Sequence, residues 1–524
     1  MELHFPAIPF LSHLITPMEL QFPTIPFLSL FLLFAVIAIK LTKSTSQKTR
    51  ARKLPPSPWR LPIIGHLHHL VGAVPHRALR ELSLRHGPLM HLRLGQVDHI
   101  VVSSPEAAKE ILTTHDLTFA SRTKLFASDV LAYGGTNLVF APYGSYWRLL
   151  RKICVQELLS PKRVNSFRTC REEEMSDLVG SISTISKSPV NLSDLLFLST
   201  KNLVSRVAFG KKCKHGLRFH AAAKEGIELV SGLCVADLFP SMKFIDVLSG
   251  GSSKASKVHQ EIDKVLEEII KEHQEKRSSM NSNRGAPGED EDLVDVLLDV
   301  MENGKLEFPL ALDNIKAVIL DMFLGGTDTA STTLEWAMSE LARHPEAMQK
   351  AQAEVRQALK GKAKIQEEDI SELHYMKLVI KETLRLHPPV PLLLPRDCSE
   401  TCELEGYDIP MGSRVIINVW AIARDARYWG DAESFRPERF YVSSVEYLAG
   451  SFEYLPFGGG RRVCPGFTFG MAHLELALAN LLFYFDWKLP HGIAPKDLDM
   501  EESMGATVSR KSALWLIATP HEPI

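Results

Sequence analysis

The chain has 524 residues, of which 45% are hydrophobic and 23% are charged, and this composition is that of an ordinary folded protein with a large core. Its 60 basic and 62 acidic residues give a formal net charge of -2. That balance provides no broad positive field, which excludes general nucleic-acid binding. The 7 cysteines lack paired C-x-x-C spacing, which argues against a disulfide scaffold or a zinc site.

The N-terminal part of the sequence predicts a membrane anchor. Residues 25–39 are almost wholly apolar, residues 22–24 extend that run, and basic residues follow it at Lys40, Lys43, Lys48, Arg50, Arg52 and Lys53. This order favours a cytosolic position for everything after the apolar run. A secretory signal peptide is the alternative. In such a peptide the basic residues precede the apolar run and a small-residue cleavage site follows it, and this sequence shows neither feature. We therefore expect an anchor segment over residues 1–53 and one catalytic domain over residues 54–524.

The anchor segment also contains a near duplication. Residues 1–12 read MELHFPAIPFLS and residues 18–29 read MELQFPTIPFLS. Proline breaks the interior of a helix, so the prolines in both copies argue against one straight helix from Met1. Met18 is an alternative start, and a duplication without effect on function is an equally open interpretation.

Beyond residue 53 the patterns favour a mainly α-helical domain with small β-sheets. Residues 54–62 (LPPSPWRLP) form a stiff, extended, proline-rich segment. Residues 89–103 alternate in strand fashion about Gly95, which predicts a hairpin, whereas most later segments have helical spacing. Residues 274–292 are polar and charged, which predicts an exposed loop inside the domain.

One cysteine stands where its thiolate would be favoured. Residues 457–466 read FGGGRRVCPG, and an apolar helical pattern follows over residues 467–485. Cys464 thus ends a glycine-rich loop at the start of a helix, where backbone N–H groups favour the charged thiolate that binds iron. The glycines let the backbone approach a flat ligand closely.

This loop resembles the haem-binding signature FxxGxRxCxG of the cytochrome P-450 superfamily. Every fixed position is met, by Phe457, Gly460, Arg462, Cys464 and Gly466. The resemblance implies the P-450 fold with an N-terminal anchor helix. It also implies that the cofactor is haem b, that Cys464 is the axial ligand of its iron, and that the other four residues bind the cofactor.

Two further motifs resemble the family's structural network. Glu382 and Arg385 match ExxR on a predicted helix, where i,i+3 spacing makes them neighbours. Residues 435–440 (FRPERF) resemble the PERF segment, which implies that Arg439 completes a buried Glu-Arg-Arg network. Loss of one member of such a network would strand the others, so its role is structural.

Other residues resemble the family's propionate ligands. Trp147 and Arg151 match WxxxR, in which both side chains hydrogen-bond a haem propionate. Arg396 is a further candidate for the same role, and Arg122 is a weaker one.

Residues 321–331 (DMFLGGTDTAS) resemble the oxygen-activation segment of the family. Two adjacent glycines lower helix stability by about 1 kcal/mol each, which predicts a kink or a widened turn. The resemblance implies that Asp328 and Thr329 relay protons to dioxygen at the haem. Ala330 departs from the threonine or serine of many members, and Ser331 follows it.

The chain is similar to plant microsomal P-450 enzymes of specialised metabolism, and among these to sesquiterpene and diterpene hydroxylases. This likeness rests on residues 55–70 (PPSPWRLPIIGHLHHL), 381–398 and 454–466. It implies an apolar substrate pocket. The residues it places there are Leu125, Phe126, Val130, Val235, Met322, Phe323, Gly325, Val390, Leu392, Leu393 and Met504.

The resemblance implies a monooxygenase of the endoplasmic reticulum membrane, anchored by a single span, with molecular oxygen as co-substrate. NADPH would supply electrons through NADPH-cytochrome reductase, with cytochrome b5 as a second partner. Electrons would enter at the cysteine side, near Arg461 and the basic residues Arg148, Arg151 and Lys152. Alkaloids and phenylpropanoids or flavonoids are alternative substrates. A haem-thiolate isomerase or dehydratase, and a haem sensor or carrier, are alternative functions.

Overall fold

The computed structural model describes residues 53–185, 188–212, 216–230, 235–242, 251–280, 291–304, 308–448, 450–503 and 505–521. The predicted anchor, the duplicated segment and the alternative start at Met18 lie outside these residues. Everything that follows concerns the described part of the chain.

Helices dominate the described residues, as the sequence predicts. Several begin at a capping side chain, such as that of Ser104, which accepts a hydrogen bond from the Ala107 N–H at 3.3 Å. The helices are α1 (Pro75–His86), α2 (Pro105–Leu112), α3 (Phe126–Leu131), α4 (Ser145–Ile153), α5 (Pro161–Ser166), α6 (Arg168–Thr184), α7 (Leu192–Phe209), α8 (Gly216–Val230), α9 (Val235–Leu238), α10 (Gly251–Met280), α11 (Leu293–Asn303), α12 (Leu312–Arg343), α13 (Pro345–Ala358), α14 (His374–Leu386), α15 (Val419–Ile422) and α16 (Phe467–Tyr484).

Short strands form three small sheets at the edges of the helical body. The strands are β1 (Leu89–Leu94), β2 (Val97–Val102), β3 (Ser121–Arg122), β4 (Pro189–Asn191), β5 (Arg396–Asp397), β6 (Cys402–Leu404), β7 (Tyr407–Ile409), β8 (Arg414–Ile417), β9 (Phe485–Lys488) and β10 (Trp515–Pro520). The sheets have the orders β1-β2-β8-β5-β3, β4-β10-β9 and β6-β7. β1 and β2 are antiparallel, with Leu94 opposite Val97, so the predicted hairpin about Gly95 is confirmed.

Helix α12 is the central element of the body. It packs against α7, α11, α14 and α16, and most of its second half is buried. The Asn314 side chain accepts a hydrogen bond from the Ala311 N–H at 2.8 Å and so caps its start. Because α12 and α16 run through the core, side chains on their facing sides meet inside the protein.

The predicted loop over residues 274–292 is only partly a loop. Helix α10 continues to Met280, so residues 274–280 are helical and that part of the prediction is wrong. The Arg277 guanidinium explains the extension, because it donates to the Asp295 carbonyl at 2.9 Å and to Glu302 at 2.8 Å. Contacts with α11 thus outweigh the polar composition of this segment. Residues 281–290 lie outside the described part of the chain.

Among the described residues, only α16 is long and apolar enough to cross a membrane. Its residues Leu476, Leu478 and Leu481 have no exposed surface, and 61% of the helix is buried inside the protein. This burial identifies α16 as a core helix of the domain.

Candidate active site

A cavity of about 320 Å³ lies between α12 on one side and α16 with the cysteine loop on the other. Cys464 and Thr329 both line it. Most of the other lining side chains are apolar, and they include residues of α7, α12, α14, the segment after α14, and α16: Val204, Val207, Met322, Ala330, Leu384, Pro389, Val390, Leu393, Leu394, Phe469 and Leu474.

The cysteine loop is held by backbone contacts. The Cys464 N–H donates to the Phe457 carbonyl at 3.1 Å, and Gly466 is the N-cap of α16. Gly460 has a φ of +66°, and a Cβ there would lie 2.8 Å from the Leu112 carbonyl oxygen. Only glycine fits this position, because both the dihedral angle and the close backbone exclude a side chain.

The thiol of Cys464 faces the cavity and is remote from bulk solvent. Burial raises its pKa, and a backbone contact at Gly466 and the positive charge of Arg151 oppose that effect. A bound metal ion deprotonates such a thiol outright. The site therefore suits a thiolate that is stabilised by a metal ion.

Four arginines line the same cavity, namely Arg122, Arg151, Arg396 and Arg462. Few anionic side chains accompany these arginines. Among the described residues, their one ion pair joins Arg396 to Asp116 at 3.8 Å. Burial lowers the pKa of Arg396 to about 10 and that of Arg462 to about 9. The Nε atom of Arg122 is buried without a hydrogen-bond partner. This excess of buried cations fits a ligand with two carboxylates, as haem has.

Two of the predicted propionate ligands also contact the protein backbone. The Trp147 Nε1–H donates to the Leu138 carbonyl at 3.0 Å, and Arg462 donates to the same carbonyl at 3.2 Å. The Arg462 guanidinium lies 4.2 Å from the centre of the Trp147 ring. A direct bond from Trp147 to a propionate would therefore replace its bond to Leu138.

The predicted Glu-Arg-Arg network is present in the structure. The Glu382 carboxylate accepts two hydrogen bonds from Arg385, at 2.8 and 2.9 Å, and one from Arg439 at 2.9 Å. Glu382 and Arg385 have no exposed surface. Arg385 also donates to the carbonyls of Ala423, Ala432 and Ser434. The network thus ties α14 to the segment over residues 423–440.

Thr329 and Asp328 occupy different sides of α12. Thr329 lines the cavity, and its hydroxyl donates to the Gly325 carbonyl at 2.6 Å. Asp328 does not line the cavity, because successive side chains of a helix point about 100° apart. Burial raises the pKa of Asp328 to about 6, although attraction to Lys224 opposes that effect.

The glycine pair of α12 does not produce the predicted widened turn. The helix is α-helical from Leu312 through Arg343, so the widened turn is wrong, whereas the kink stays a prediction. Gly326 has a packing role, because a Cβ there would lie 3.2 Å from the Val204 side chain of α7. Gly325 faces open space at the cavity. Close packing against α7 therefore favours a residue without a side chain at position 326.

The structure brings together only part of the predicted substrate pocket. Met322, Gly325, Val390 and Leu393 line the cavity, and Met504 lies outside the described residues. The residues that do not line the cavity are Leu125, Phe126, Val130, Val235, Phe323 and Leu392.

Two of the residues that do not line the cavity belong to other apolar clusters. The Phe323 ring is fully buried, with its centre 6.1 Å from that of Phe209 and 4.7 Å from that of Phe219. Leu392 packs against the cluster formed by α1, β1 and β2. Val235 is 37% exposed on the surface. Packing partners far away in the sequence decide these positions.

Other cavity residues were not singled out from the sequence. Asp321 and His473 were detectable, because each is a polar residue within an apolar helical run. His473 is buried, and its Nε2 lies 3.0 Å from the Thr200 hydroxyl. Leu138 and Val139 lie in an irregular loop, where no periodicity marks their role.

A cavity that joins a cysteine to four arginines with a single ion pair among them defines a haem-thiolate site. The sequence model of the family described as "Cytochrome P450" matches residues 55–516. The chain therefore belongs to the cytochrome P450 family. As a member it is a haem-thiolate monooxygenase, which uses molecular oxygen and receives the electrons of NADPH through a reductase.

Proteins of known activity match almost the whole chain. Premnaspirodiene oxygenase of Hyoscyamus muticus is 52% identical over 494 residues, which are 94% of this chain and 97% of that protein. Desmethyl-deoxy-podophyllotoxin synthase of Sinopodophyllum hexandrum is 53% identical over 488 residues, which are 93% of this chain and 96% of that protein. A zebra fish cytochrome P450 solved with progesterone has a TM-score of 0.72 at 25% identity, over 86% of this chain and 100% of that chain. The predicted fold is confirmed.

Proposed function

We propose that this monooxygenase hydroxylates a small apolar terpenoid, a sesquiterpenoid or a diterpenoid. The observation that carries this proposal is the apolar lining of the cavity beside Cys464. An apolar cavity favours the binding of a hydrocarbon skeleton and provides few groups that could hydrogen-bond a polar substrate. The likeness to premnaspirodiene oxygenase, a protein named for oxidation of a diene, supports the same class.

The residues of the cysteine loop and the arginine group would hold the cofactor. The Cys464 thiolate would bind the haem iron, and Phe457, Gly460 and Gly466 would shape the loop around it. Haem bound there would activate dioxygen with electron density from the thiolate. The propionates would lie against Trp147, Arg151, Arg396 and Arg462, all of which line the cavity.

The side chains of α12 would deliver the protons. The Thr329 hydroxyl faces the cavity, and to donate a hydrogen bond toward dioxygen it would give up its bond to the Gly325 carbonyl. The Asp328 carboxyl has a pKa of about 6, which suits a group that gains and loses a proton near neutral pH. Asp328 would therefore resupply the proton from the side of the helix that faces away from the cavity.

Asp328→Asn should make the protein more stable and less active. The folded state keeps the Asp328 proton up to about pH 6, whereas its ordinary pKa is 3.8, so ionisation favours the unfolded chain as pH rises. Each pKa unit corresponds to about 1.4 kcal/mol, so the variant should gain about 3 kcal/mol at pH 8 and about half of that at pH 5. Turnover should fall by about 100-fold.

The measurements are denaturant unfolding at both pH values and product formation per NADPH consumed. Asp313→Asn, at the exposed start of the same helix, is the matched control; it should leave turnover unchanged and should lower stability by at most about 1 kcal/mol through its effect on the helix dipole. An equal gain in stability at pH 5 and pH 8, or unchanged turnover, would contradict the role assigned to Asp328.

The substrate class is tested by incubating the full chain and NADPH-cytochrome reductase with a panel of hydrocarbons. The panel holds sesquiterpenes and diterpenes, with an alkaloid and a flavonoid as comparisons, and products are read by mass. We expect NADPH-dependent addition of one oxygen atom to at least one terpene. Conversion of the alkaloid or flavonoid with no terpene turned over would overturn the substrate class. Conversion without NADPH would instead indicate an isomerase or dehydratase.

The reductase would dock on the basic surface groove beside the cysteine loop. Tyr143 and four basic residues line this groove; Arg148, Lys152 and Arg461 are exposed, and Arg151 is half-buried. Positive charge there complements an acidic electron donor, and cytochrome b5 would use the same groove. The predicted anchor over residues 1–53 would hold the domain at the endoplasmic reticulum membrane by a single span.

A further inference from the structure

Asp321 is a partly buried acid of the cavity that the proton relay does not use. It lies on α12, two turns before Thr329, and its side chain lines the cavity. Its Oδ1 accepts a hydrogen bond from the Asn137 side chain at 2.6 Å, and its Oδ2 accepts one from the Val139 N–H at 3.1 Å. Both donors belong to the loop over residues 132–144, between α3 and α4. Asp321 thus joins the central helix to that loop.

The same loop provides carbonyl groups for the predicted propionate ligands. The Leu138 carbonyl accepts hydrogen bonds from Trp147 and Arg462, at 3.0 and 3.2 Å, and the Ala141 carbonyl accepts another from Arg462. Leu138 lies between the two residues that Asp321 holds. Displacement of the loop would therefore move the acceptor shared by Trp147 and Arg462.

The geometry points to Asp321 as a positioning residue, which fixes the loop over residues 137–141 so that Leu138 orients Trp147 and Arg462 at the haem edge. This inference rests on the cofactor contacts proposed above for Trp147 and Arg462. It adds a link from the oxygen-activating helix to the side chains that hold the cofactor. Val139 also lines the cavity, so its hydrogen bond to Asp321 also positions one wall of the substrate site.

The donor pattern explains why position 321 requires a carboxylate. Both of its side-chain contacts come from N–H donors, and the Asn137 Oδ1 accepts from the Phe140 N–H at 3.0 Å, which fixes the orientation of the Asn137 amide. Asparagine at position 321 would set an NH₂ group against one donor and leave a buried hydrogen bond unmade. Burial raises the pKa of Asp321 to about 7, so the carboxylate form is tested at pH 8.

The test compares Asp321→Asn with the double variant Asn137→Asp and Asp321→Asn. In the double variant the amide lies on the helix and the carboxylate on the loop, so every donor meets an acceptor again. Two measurements at pH 8 on haem-loaded full chain are required: amide hydrogen exchange of residues 136–141, and haem transfer to an excess of apomyoglobin. Global unfolding is not the readout, because removal of a buried charge stabilises the fold by itself.

Asp321→Asn should raise both the exchange rate and the haem transfer rate by about 10-fold, the effect of one buried hydrogen bond. The double variant should return both rates to within about 3-fold of the parent, and Asp313→Asn should leave both unchanged. Unchanged exchange in Asp321→Asn, or no recovery in the double variant, would overturn the inference. Faster exchange with unchanged haem transfer would support the role of Asp321 and contradict the propionate contacts. If Asp321→Asn yields no folded protein, recovery of the double variant with haem supports the inference, and its failure to fold overturns it.

Discussion

Cys464→Ala protein should lose product formation and the optical signature of thiolate ligation. In the reduced protein, carbon monoxide should no longer give the red-shifted absorption that a trans thiolate produces. Turnover should fall by at least about 1,000-fold, which corresponds to about 4 kcal/mol of activation free energy. The physical reason is the loss of the one cysteine thiol that lines the cavity among the described residues.

The control for this experiment is Cys170→Ala, which removes a partly exposed cysteine outside the cavity. That variant should keep both the absorption and the turnover of the parent. If Cys464→Ala bound stoichiometric haem with an unchanged spectrum, another residue would be the axial ligand, and the assignment of Cys464 would have to be withdrawn.

Glu382→Gln should destabilise the protein by about 3–5 kcal/mol, because it leaves two buried guanidinium groups without their carboxylate. Both Arg385 and Arg439 bind Glu382 within 2.9 Å, and Gln keeps the size of the side chain while it removes the charge. A typical domain has only about 5–15 kcal/mol of stability. Denaturant unfolding and the yield of haem-loaded protein measure the effect.

The matched control is Glu501→Gln, which breaks an ion pair of similar length on the surface. The Glu501 carboxylate lies 2.7 Å from the Lys511 ammonium, and both side chains are about two-thirds exposed. Solvent screens such a pair, so the control should cost at most about 1 kcal/mol. Equal losses of stability in the two variants would show that the Glu382 network contributes no more than an ordinary surface pair.

The sequence was most informative where local chemistry alone determines the geometry. Two features depend only on neighbours in the chain: the dihedral angle of Gly460 and the i,i+3 contact of Glu382 with Arg385. Both could be predicted from the local sequence. Arg439 lies 57 residues from Glu382, and it was placed correctly only through the resemblance to a family. Local constraints thus predicted the cysteine loop and one half of the network.

The substrate side of the cavity was less predictable, because tertiary packing decides which face of each element is open. Met322 and Phe323 are adjacent and both apolar, yet only Met322 reaches the cavity, since Phe209 and Phe219 bury the Phe323 ring. The loop that carries Val139 has no periodic pattern, so its approach to α12 could not be read from spacing. The contact depends on Asp321, whose partners lie more than 180 residues away.

The arginines of the cavity, which have a single ion pair among them, also bear on how the enzyme is produced. Without an anionic cofactor, Arg122, Arg396 and Arg462 repel one another in a medium of low polarity. A ligand that binds only the folded state adds its binding energy to the stability of that state. The stability of newly synthesised chains would therefore depend on the supply of the cofactor. Chains completed in a porphyrin-starved cell would remain substrates for proteases, and the abundance of the enzyme would follow the supply of its cofactor.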